Sequence, residues 1–386
     1  MRTIMNVRTR RITLLVLCVA VLCLGCASVT EAATAPYPAS KVITGVTFQW
    51  ASLKYYAPGS DNWAITWSDD GHQYTSFGDG GGFGGTNTDG RVSLGLARVE
   101  GTADAYKGVN RWGGKSAEYP AQFSGKSYGI ISVGGVLYKW VSPGSNSTNY
   151  TECVLARSTD HGAHWTQASW KFTKAQGLVI PTILNFGKDY AGARDTYVYH
   201  YFIHPSNTAS LTIQKPGKVY LARVPKGQLM TQSAYEFFTG LDSSGNPRWS
   251  TTVSSKVPVF QDLNNGIGWT MSVSYNPGLK RYLLTTEHTQ SVPYGGNIGI
   301  FDAPEPWGPW TTVLYQTPWA GSTKACFFWN FSNKWLSPDG KNFVLAFTGN
   351  DRWNTVKGTF TVSGSTTGPS APSAPSGLTV DGMNAP

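Results

Sequence analysis

Between Tyr37 and about Ser363, short apolar stretches rich in Val, Ile, Tyr, Phe, Trp and Thr alternate with Gly, Pro, Asn and Asp, roughly every ten residues. This spacing is typical of strands joined by tight turns, and it predicts an all-β sandwich, barrel or propeller. Helical periodicity is never sustained. The best helical candidate, Lys226–Phe238, is short.

The most informative stretch runs from Ser60 to Arg91 and contains a hairpin signal. The turn sequence Ser68-Asp69-Asp70-Gly71 lies between two segments that suit strands, 61–67 and 72–79. A symmetric turn would pair Trp67 with Gln73, Ile65 with Thr75, Trp63 with Phe77, and Asp61 with Asp79.

This pairing would bring two carboxyl groups together at one end of the hairpin. Directly opposed side chains have Cβ atoms about 4.5–5.5 Å apart, where like charges destabilise a fold. Retaining glycosidases need two carboxyl groups about 5–5.5 Å apart, as nucleophile and acid/base. The glycines after Asp79 leave room for a ligand near the backbone. The alternative is structural: a change of register by one residue separates Asp61 from Asp79, and the two then bond only to turn and blade backbone.

This hairpin turn, centred on Asp70, shares a motif with two other turns, centred on Asp160 and Asp339. In each, Ser-x-Asp is followed by Gly and an aromatic residue. In such Asp-box turns the carboxylate binds backbone amides, so these three aspartates are poor catalytic candidates. Recurrent hairpins of this kind favour a propeller. We predict five blades, with six as the alternative.

Composition narrows the class of protein. Charged residues are 14%, whereas Trp (15), Tyr (19), Phe (17) and Gly (44) are abundant, which favours a β-rich extracellular protein that stacks on sugars. The whole chain has a net charge of +9, of which +6 remains beyond the N-terminal segment. This charge is spread along the sequence without a basic cluster, so nucleic-acid binding is not indicated. We expect a monomer whose partner is a polysaccharide.

Neither a metal centre nor a cofactor is predicted, because no CxxC pair or HExxH motif is present beyond the N-terminal signal segment. A structural calcium ion is left open. Cys153 and Cys326 are the cysteines outside the N-terminal segment. They form either one disulfide or two buried thiols.

The chain is expected to divide into three parts. Residues 1–35 resemble a secretory signal, with arginines before the apolar run Ile12–Leu24, which is too short for a lasting membrane helix. Leu24-Gly25-Cys26 leaves a lipoprotein anchor as the alternative, so the location is secreted or cell envelope. Residues 36–364 form the propeller. Residues 365–386 are a Ser/Pro/Gly linker, with a disordered tail or the start of a fibronectin type III module as its continuation.

Several segments resemble the DUF4185 family. The most specific are Asp61-Asn62-Trp63 and Gly78-Asp79-Gly80, and the others are Tyr220–Pro225, Ala234–Phe238, Met271–Asn276, Arg281–Leu283 and Phe301–Trp310. The family includes five-bladed propeller endo-D-arabinanases that act on mycobacterial cell-wall arabinan. The resemblance covers most of residues 45–362. It implies that Asp61 and Asp79 are the catalytic pair, without indicating which is the nucleophile.

Other residues are candidates for the site. Glu287, at the end of a strand pattern, is a third catalytic candidate that would tune the protonation of the pair, or an ordinary hydrogen-bonded residue. Arg91 binds an anionic group or pairs with Asp89. The remaining substrate-binding candidates, each with core packing or structural hydrogen bonding as its alternative, are Trp63, Trp269, His288, Trp329, Asn330 and Trp353. His200 and His204 are expected to be structural.

Taken together, the sequence predicts a secreted, retaining glycoside hydrolase that cleaves within an arabinan-like furanoside polysaccharide. One alternative is a lyase acting on an acidic glycan, with His or Tyr as base beside an Arg or Lys that neutralises the substrate charge; His288, His200 and Arg91 could be recruited. A sialidase would need three convergent arginines and a Tyr-Glu pair, which no spacing here selects. The last alternative is a glycan-binding propeller without activity.

Overall fold

The computed structural model describes residues 33–143, 151–206, 213–289, 296–319 and 326–364. The predicted signal, apart from its last three residues, and the predicted linker lie outside these ranges. In the described part of the chain, no helix has the length and apolar character needed to cross a membrane.

The regular structure consists of strands arranged in five antiparallel sheets. Strand β1 is Ile43–Tyr56. The first blade contains β2 (Ile65–Trp67), β3 (Gln73–Phe77), β4 (Gly95–Gly101) and β5 (Tyr106–Trp112), and the second β6 (Lys126–Val133), β7 (Val136–Ser142), β8 (Glu152–Ser158), β9 (Thr166–Gln167) and β10 (Phe172–Thr173).

The remaining blades follow in chain order. The third contains β11 (Val179–Ile183), β12 (Tyr197–Ile203), β13 (Val219–Pro225), β14 (Glu236–Leu241), β15 (Pro247–Ser250) and β16 (Pro258–Phe260). The fourth contains β17 (Met271–Asn276), β18 (Arg281–Glu287), β19 (Ile298–Ala303) and β20 (Thr311–Gln316). The fifth contains β21 (Cys326–Phe331), β22 (Asn342–Gly349) and β23 (Trp353–Val362).

The ring is closed by the two ends of the described chain. Strand β1 pairs antiparallel with β23 and supplies the outer strand of the fifth blade. Successive blades meet through their first strands, with contacts of β2 to β6, β6 to β11, β11 to β17 and β17 to β21. The prediction of an all-β, five-bladed propeller is confirmed.

The only helical structure in the described ranges is short 3-10 turns, at Lys174–Gln176, Lys188–Tyr190, Lys226–Gln228, Gln232–Ala234, Val253–Ser255 and Asn333–Trp335. The helical candidate Lys226–Phe238 therefore forms two such turns and enters β14 instead of forming an α-helix. Its apolar residues Tyr235, Phe237 and Phe238 are buried against the sheet, and this packing outweighs a weak local preference.

The Asp-box aspartates have the structural role expected for them. The Asp70 carboxylate accepts from the His72 amide at 2.9 Å, Asp160 from the His164 amide at 3.0 Å, and Asp339 from the Lys341 amide at 3.0 Å. Cys153 and Cys326 are free buried thiols, which decides between the two alternatives for them.

Candidate active site

The hairpin that opens the first blade follows the predicted register only near its turn. Trp67 pairs with Gln73 and Ile65 with Thr75. At the far end Asp61 pairs with Gly78, through two backbone hydrogen bonds of 2.9 Å, and not with Asp79. The predicted pairing of Asp61 with Asp79 is therefore wrong by one residue.

Backbone conformation compensates for this shift. Asn62 and Asp79 both have left-handed backbone angles, with φ of 63° and 59°. Asn and Asp tolerate this region better than other residues with a Cβ atom, although it still costs free energy. The alternation of side chains between faces holds only for extended residues. The left-handed residues Asn62 and Asp79 interrupt this alternation, so that Asp61 and Asp79 line the same cavity.

The cavity has a volume of about 220 Å³ and lies at the end of the propeller where β2, β6 and β21 begin. It is smaller than the roughly 300–1,000 Å³ typical of sites for drug-sized ligands, and it suits about one sugar ring. Three carboxylates face it, because Asp351 joins Asp61 and Asp79. The lining residues are Gly59, Asp61, Asp79, Asn87, Arg91, Phe327 and Asp351.

Asp79 is held by two cations. The Lys126 ammonium, on a side chain that is 3% exposed, forms an ion pair with Asp79 Oδ1. The Arg91 guanidinium lies 3.5 Å from the same oxygen and also donates to the Asp79 carbonyl and to Asn87. Two cations therefore contact one carboxylate oxygen of Asp79, an arrangement that favours negative charge at this position.

Asp61 has the opposite environment. Burial raises the pKa of its carboxyl group to about 8, since desolvation penalises the charged form, with Asp79 and Asp351 adding to the rise and Lys126 and Arg91 opposing it. The Asn62 amide donates to Asp61 Oδ1 at 2.9 Å. At neutral pH Asp61 therefore carries a proton.

Asp351 comes from the turn between β22 and β23, in the fifth blade. Its backbone is left-handed, with φ of 50°, and its carbonyl accepts from the Gly59 amide at 2.7 Å. Partial burial and the Asp79 charge raise the pKa of its carboxyl group, with Arg91 opposing them. The sequence analysis missed this residue, although Gly349-Asn350-Asp351-Arg352 has the composition of a turn at the end of a strand.

Lys126 was missed as well, because a lysine at the start of an apolar strand has no distinguishing pattern. Its position is fixed by β6, whose first residue it is. Gly78 leaves the necessary space: a Cβ atom there would lie 3.3 Å from Lys126 Nζ and 3.6 Å from Asp61 Oδ1. Lys126 therefore lies beside both carboxylates.

The arginine prediction is corrected in part. Arg91 does line the cavity, but its carboxylate partner is Asp79 and not Asp89. Asp89 pairs instead with Lys115, at 2.8 Å. Since Arg91 already faces Asp79, an anionic substituent would compete with a carboxylate of the protein.

The tryptophans chosen as sugar-stacking candidates are buried, so the structure contradicts that role. Their exposed fractions are 0% for Trp63, 3% for Trp269, 1% for Trp329 and 0% for Trp353. Trp63 packs within 5.6 Å, between ring centroids, of Phe77, Phe83 and Trp353. Asn330 is structural too, because its amide donates to the Trp63 and Phe328 carbonyls. Trp353 and Asn330 thus contact Trp63, two residues after Asp61, and support the loop that carries it.

Glu287 and His288 are fully buried and are not among the residues that line the cavity. His288 stacks on Tyr315 with ring centroids 3.6 Å apart, and burial lowers its pKa to about 4. His200, also fully buried, accepts from the Trp140 indole at 3.0 Å, and burial lowers its pKa to about 3. His204 stacks edge-on against Tyr220. The structure therefore contradicts Glu287 and His288 as members of this site.

One group in the described residues has the donor set of a metal site. Atoms of Asp69, Asp70 and His161 lie within 4.8 Å of one another. The group lies at the opposite end of the first hairpin from Asp61 and Asp79. Its members already bond within the protein, His161 to Asp69 at 2.9 Å and the Tyr74 hydroxyl to Asp70 at 2.8 Å. The absence of a cofactor stays a prediction.

Comparison with solved structures supports the fold. A crystal structure described as a "putative hydrolase from Bacteroides ovatus ATCC 8483" has a TM-score of 0.50 at 12% identity, covering 79% of this chain and 87% of the other. A thermostable family-43 glycoside hydrolase has a TM-score of 0.44 at 13% identity, covering 81% of this chain and 95% of the other. A GH43_1 enzyme from Xanthomonas citri has a TM-score of 0.46 at 11% identity, covering 80% of this chain and 90% of the other. The likeness to the Bacteroides ovatus structure, at 12% identity, concerns the fold alone.

None of the curated proteins compared with this chain matches it. A family model does match, and it is described as a domain of unknown function, DUF4185. The match spans residues 63–326, which includes Asp79, Arg91 and Lys126 and begins two residues after Asp61. The chain belongs to the DUF4185 family.

Proposed function

We propose that this protein is a retaining glycoside hydrolase, with Asp79 as nucleophile and Asp61 as acid/base. The observation that carries the proposal is the unequal environment of two carboxyl groups in one cavity: burial raises the pKa of Asp61 to about 8, whereas Asp79 contacts the cations of Lys126 and Arg91. Two titratable groups whose environments separate their protonation states are typical of acid/base and nucleophile assignments.

In the first step, the Asp79 carboxylate attacks the anomeric carbon while Asp61 donates its proton to the glycosidic oxygen. The leaving sugar departs as an alcohol, and a glycosyl ester forms on Asp79. Esterification removes the negative charge of Asp79, which is one of the causes that raise the Asp61 pKa. The Asp61 pKa then falls, so Asp61 stays a carboxylate after giving up its proton and can act as the base. It takes a proton from a water molecule that attacks the anomeric carbon and breaks the ester to Asp79, which releases the sugar with net retention and restores both groups.

The charges of the cavity favour a neutral substrate. Three carboxyl groups face it, of which Asp61 is the protonated one, and the cations of Lys126 and Arg91 both contact Asp79. Among the described residues that line the cavity, the only cation, Arg91, faces Asp79, so a uronate would meet repulsion from Asp351. This argues against a lyase acting on an acidic glycan. The histidines that a lyase would use, His200 and His288, are buried. We infer that the substrate is a neutral furanoside polysaccharide of the arabinan type, on the family resemblance.

The test is hydrolysis of a polysaccharide panel that includes arabinan, by wild type, Asp61→Asn and Asp79→Asn. Loss of general acid catalysis lowers rates by about 10²–10⁴-fold. We expect at least this loss for both variants on the polymer. With an aryl glycoside whose leaving group needs no protonation, Asp61→Asn should keep the first step and Asp79→Asn should not.

Azide distinguishes the two roles. It should rescue Asp61→Gly and give a glycosyl azide of retained configuration, and it should rescue Asp79→Gly with inversion, because it then replaces the nucleophile. Undiminished cleavage by both Asn variants would refute the pair, and an unsaturated product would indicate a lyase. Binding without cleavage across the panel would leave a glycan-binding propeller.

A further inference from the structure

Asp351 is the carboxyl group of the cavity that takes no part in the proposed bond-breaking steps. Asp61 accepts a hydrogen bond from the Asn62 amide, and Asp79 contacts two cations. In the part of the chain that the structure describes, the Asp351 carboxyl group forms neither a hydrogen bond nor an ion pair, although the residue is exposed and lines the cavity. It therefore presents uncommitted acceptor atoms to a molecule in the cavity.

The turn that carries Asp351 is held in a fixed conformation. Asn350 and Asp351 are both left-handed, with φ of 51° and 50°. The fully buried side-chain amide of Asn354 donates to the Gly349 and Arg352 carbonyls, at 2.9 Å each. Two successive left-handed residues other than glycine cost free energy, and they persist only where the surrounding structure stabilises them. The hydrogen bonds of Asn354 supply this stabilisation on both sides of the turn.

The same turn is joined to the segment that carries Asp61. The Gly59 amide donates to the Asp351 carbonyl at 2.7 Å, and the Asn62 amide donates to the Thr348 hydroxyl at 3.2 Å. These bonds lie on either side of Asp61 in the sequence. The cavity therefore forms where the fifth blade meets the first, and the fifth blade fixes one carboxyl group beside the two that the mechanism uses.

This arrangement has an electrostatic cost that no partner within the described protein offsets. The charge of Asp79 raises the pKa of Asp351, and the charge of Asp351 raises that of Asp61. Like charges gathered in a cavity are typical of functional sites. A carboxylate only accepts hydrogen bonds, and its bonds from hydroxyl groups are among the stronger ones in proteins. A neutral sugar offers several hydroxyl donors.

We propose that Asp351 is a substrate-binding residue that accepts a hydrogen bond from a hydroxyl group of the sugar in the cavity and selects sugars that carry this hydroxyl. This inference rests on the proposed function. A cavity of about 220 Å³ holds about one sugar ring, and both reacting carboxyl groups line it, so its occupant is the sugar whose glycosidic bond breaks. Asp351 determines which sugar is cleaved, and Asp61 and Asp79 carry out the cleavage.

The experiment measures kcat/KM of wild type and Asp351→Ala on an aryl arabinofuranoside and on analogues that each lack one hydroxyl group. The ratio of wild type to variant is compared between substrates, because the intrinsic reactivity of each substrate cancels in it. Loss of a hydrogen bond to a charged group corresponds to about 10–100-fold. We expect this ratio for the complete sugar, and a ratio below about threefold for the analogue without the contacted hydroxyl. Equal ratios for all substrates would overturn the inference.

Two further variants separate the hydrogen bond from other effects. Asp351→Asn keeps an acceptor oxygen without the charge, so at about pH 6 it should lose less activity on the complete sugar than Asp351→Ala. Equal losses would show that the hydrogen bond contributes nothing. Asp104→Ala is the matched control, since the Asp104 side chain is 77% exposed, pairs with Lys357 and does not line the cavity. It should retain wild-type ratios, with thermal melting as the check on folding.

Binding separates this inference from the proposed function. Asp351→Ala and Asp104→Ala are each combined with Asp79→Asn, and their retardation by arabinan is measured by affinity gel electrophoresis. Retardation that is lost only with Asp351→Ala supports sugar recognition even if wild type cleaves nothing. Cleavage by wild type with equal ratios across the analogues overturns this inference alone. Neither cleavage nor retardation by arabinan would overturn both this inference and the proposed arabinan substrate.

Discussion

At the scale of single residues, burial and the charges around Asp61 set the pKa of its carboxyl group, and this pKa determines when the group can act as an acid. Lys126 and Arg91 lower the Asp61 pKa, whereas burial, Asp79 and Asp351 raise it, and the sum is a pKa of about 8. As an acid, Asp61 works only while it holds its proton. Activity should therefore decline as the pH rises through about 8.

Two substitutions should move this limit in opposite directions. Lys126→Met removes a charge that lowers the Asp61 pKa, so the basic limb of the kcat/KM profile should shift to higher pH, with at least a tenfold loss of activity because Asp79 loses its buried partner. Asp351→Asn removes a charge that raises the pKa, so the limb should shift to lower pH.

The measurement is the pH profile of both variants and of wild type, with thermal melting as a control for folding. Shifts in the same direction, or none, would contradict the assignment of the basic limb to Asp61.

At the scale of elements, the end of the first hairpin positions Asp61 and Asp79, and this arrangement needs the space left by Gly78. A Cβ atom on Gly78 would meet the Ser93 carbonyl oxygen at 2.7 Å and lie within 3.6 Å of Lys126 Nζ and Asp61 Oδ1. Such a short distance to backbone cannot be relieved by a side-chain rotation. The hairpin end must then shift.

We expect Gly78→Ala to destabilise the protein by about 1–3 kcal/mol and to lower kcat/KM at least tenfold, because the shift displaces the Asp61/Asp79 pair. Gly227→Ala is the control, since a Cβ atom there meets no atom within 4 Å and should change stability by less than about 0.5 kcal/mol. Melting temperature and steady-state kinetics measure both effects. Full activity in Gly78→Ala would show that the hairpin end does not set the pair's geometry.

At the scale of the whole molecule, stability depends on the closure of the ring by β1. Phe48 in this strand packs against Trp50, Trp319 and Phe343, with ring centroids 5.1–6.0 Å apart. Because β1 pairs with the last strand, these contacts join distant parts of the chain. Loosening the closure should lower the stability of the whole propeller and not of one blade.

Phe48→Ala should lower the free energy of unfolding by about 2 kcal/mol. This is less than the loss expected for a fully buried Phe, because the Phe48 ring is only partly buried. We expect a single unfolding transition at a lower temperature by calorimetry. Thr44→Ala, an exposed position on the same strand, should differ little from wild type. A separate early transition for the fifth blade would argue against closure as the source of cooperativity.

The sequence anticipated much of the architecture. The turn motifs at Asp70, Asp160 and Asp339 predict hairpins independently of the rest of the chain, because each carboxylate accepts hydrogen bonds from backbone amides only a few residues away. The five-bladed propeller and the family were predicted correctly. The roles of Asp61 and Asp79 stay proposals, although the structure places both in one cavity.

Other features depended on long-range packing. The abundance of Trp suggested sugar-stacking surfaces, yet Trp63, Trp269, Trp329 and Trp353 are buried, because composition does not say which ring another blade covers. Asp351 reaches the site from more than 250 positions along the chain, through the closure of the ring. No local pattern could place it beside Asp61.

What the sequence determined by itself is therefore local: strands, turns and the glycine-rich segment after Asp79 follow from backbone preferences over a few residues. The tertiary structure alone decided which charges meet. The protonation of Asp61 depends on burial and on the charges of Lys126, Asp79, Arg91 and Asp351, drawn from three blades. Electrostatic interactions and desolvation depend on distance in space, and only the closed propeller sets those distances.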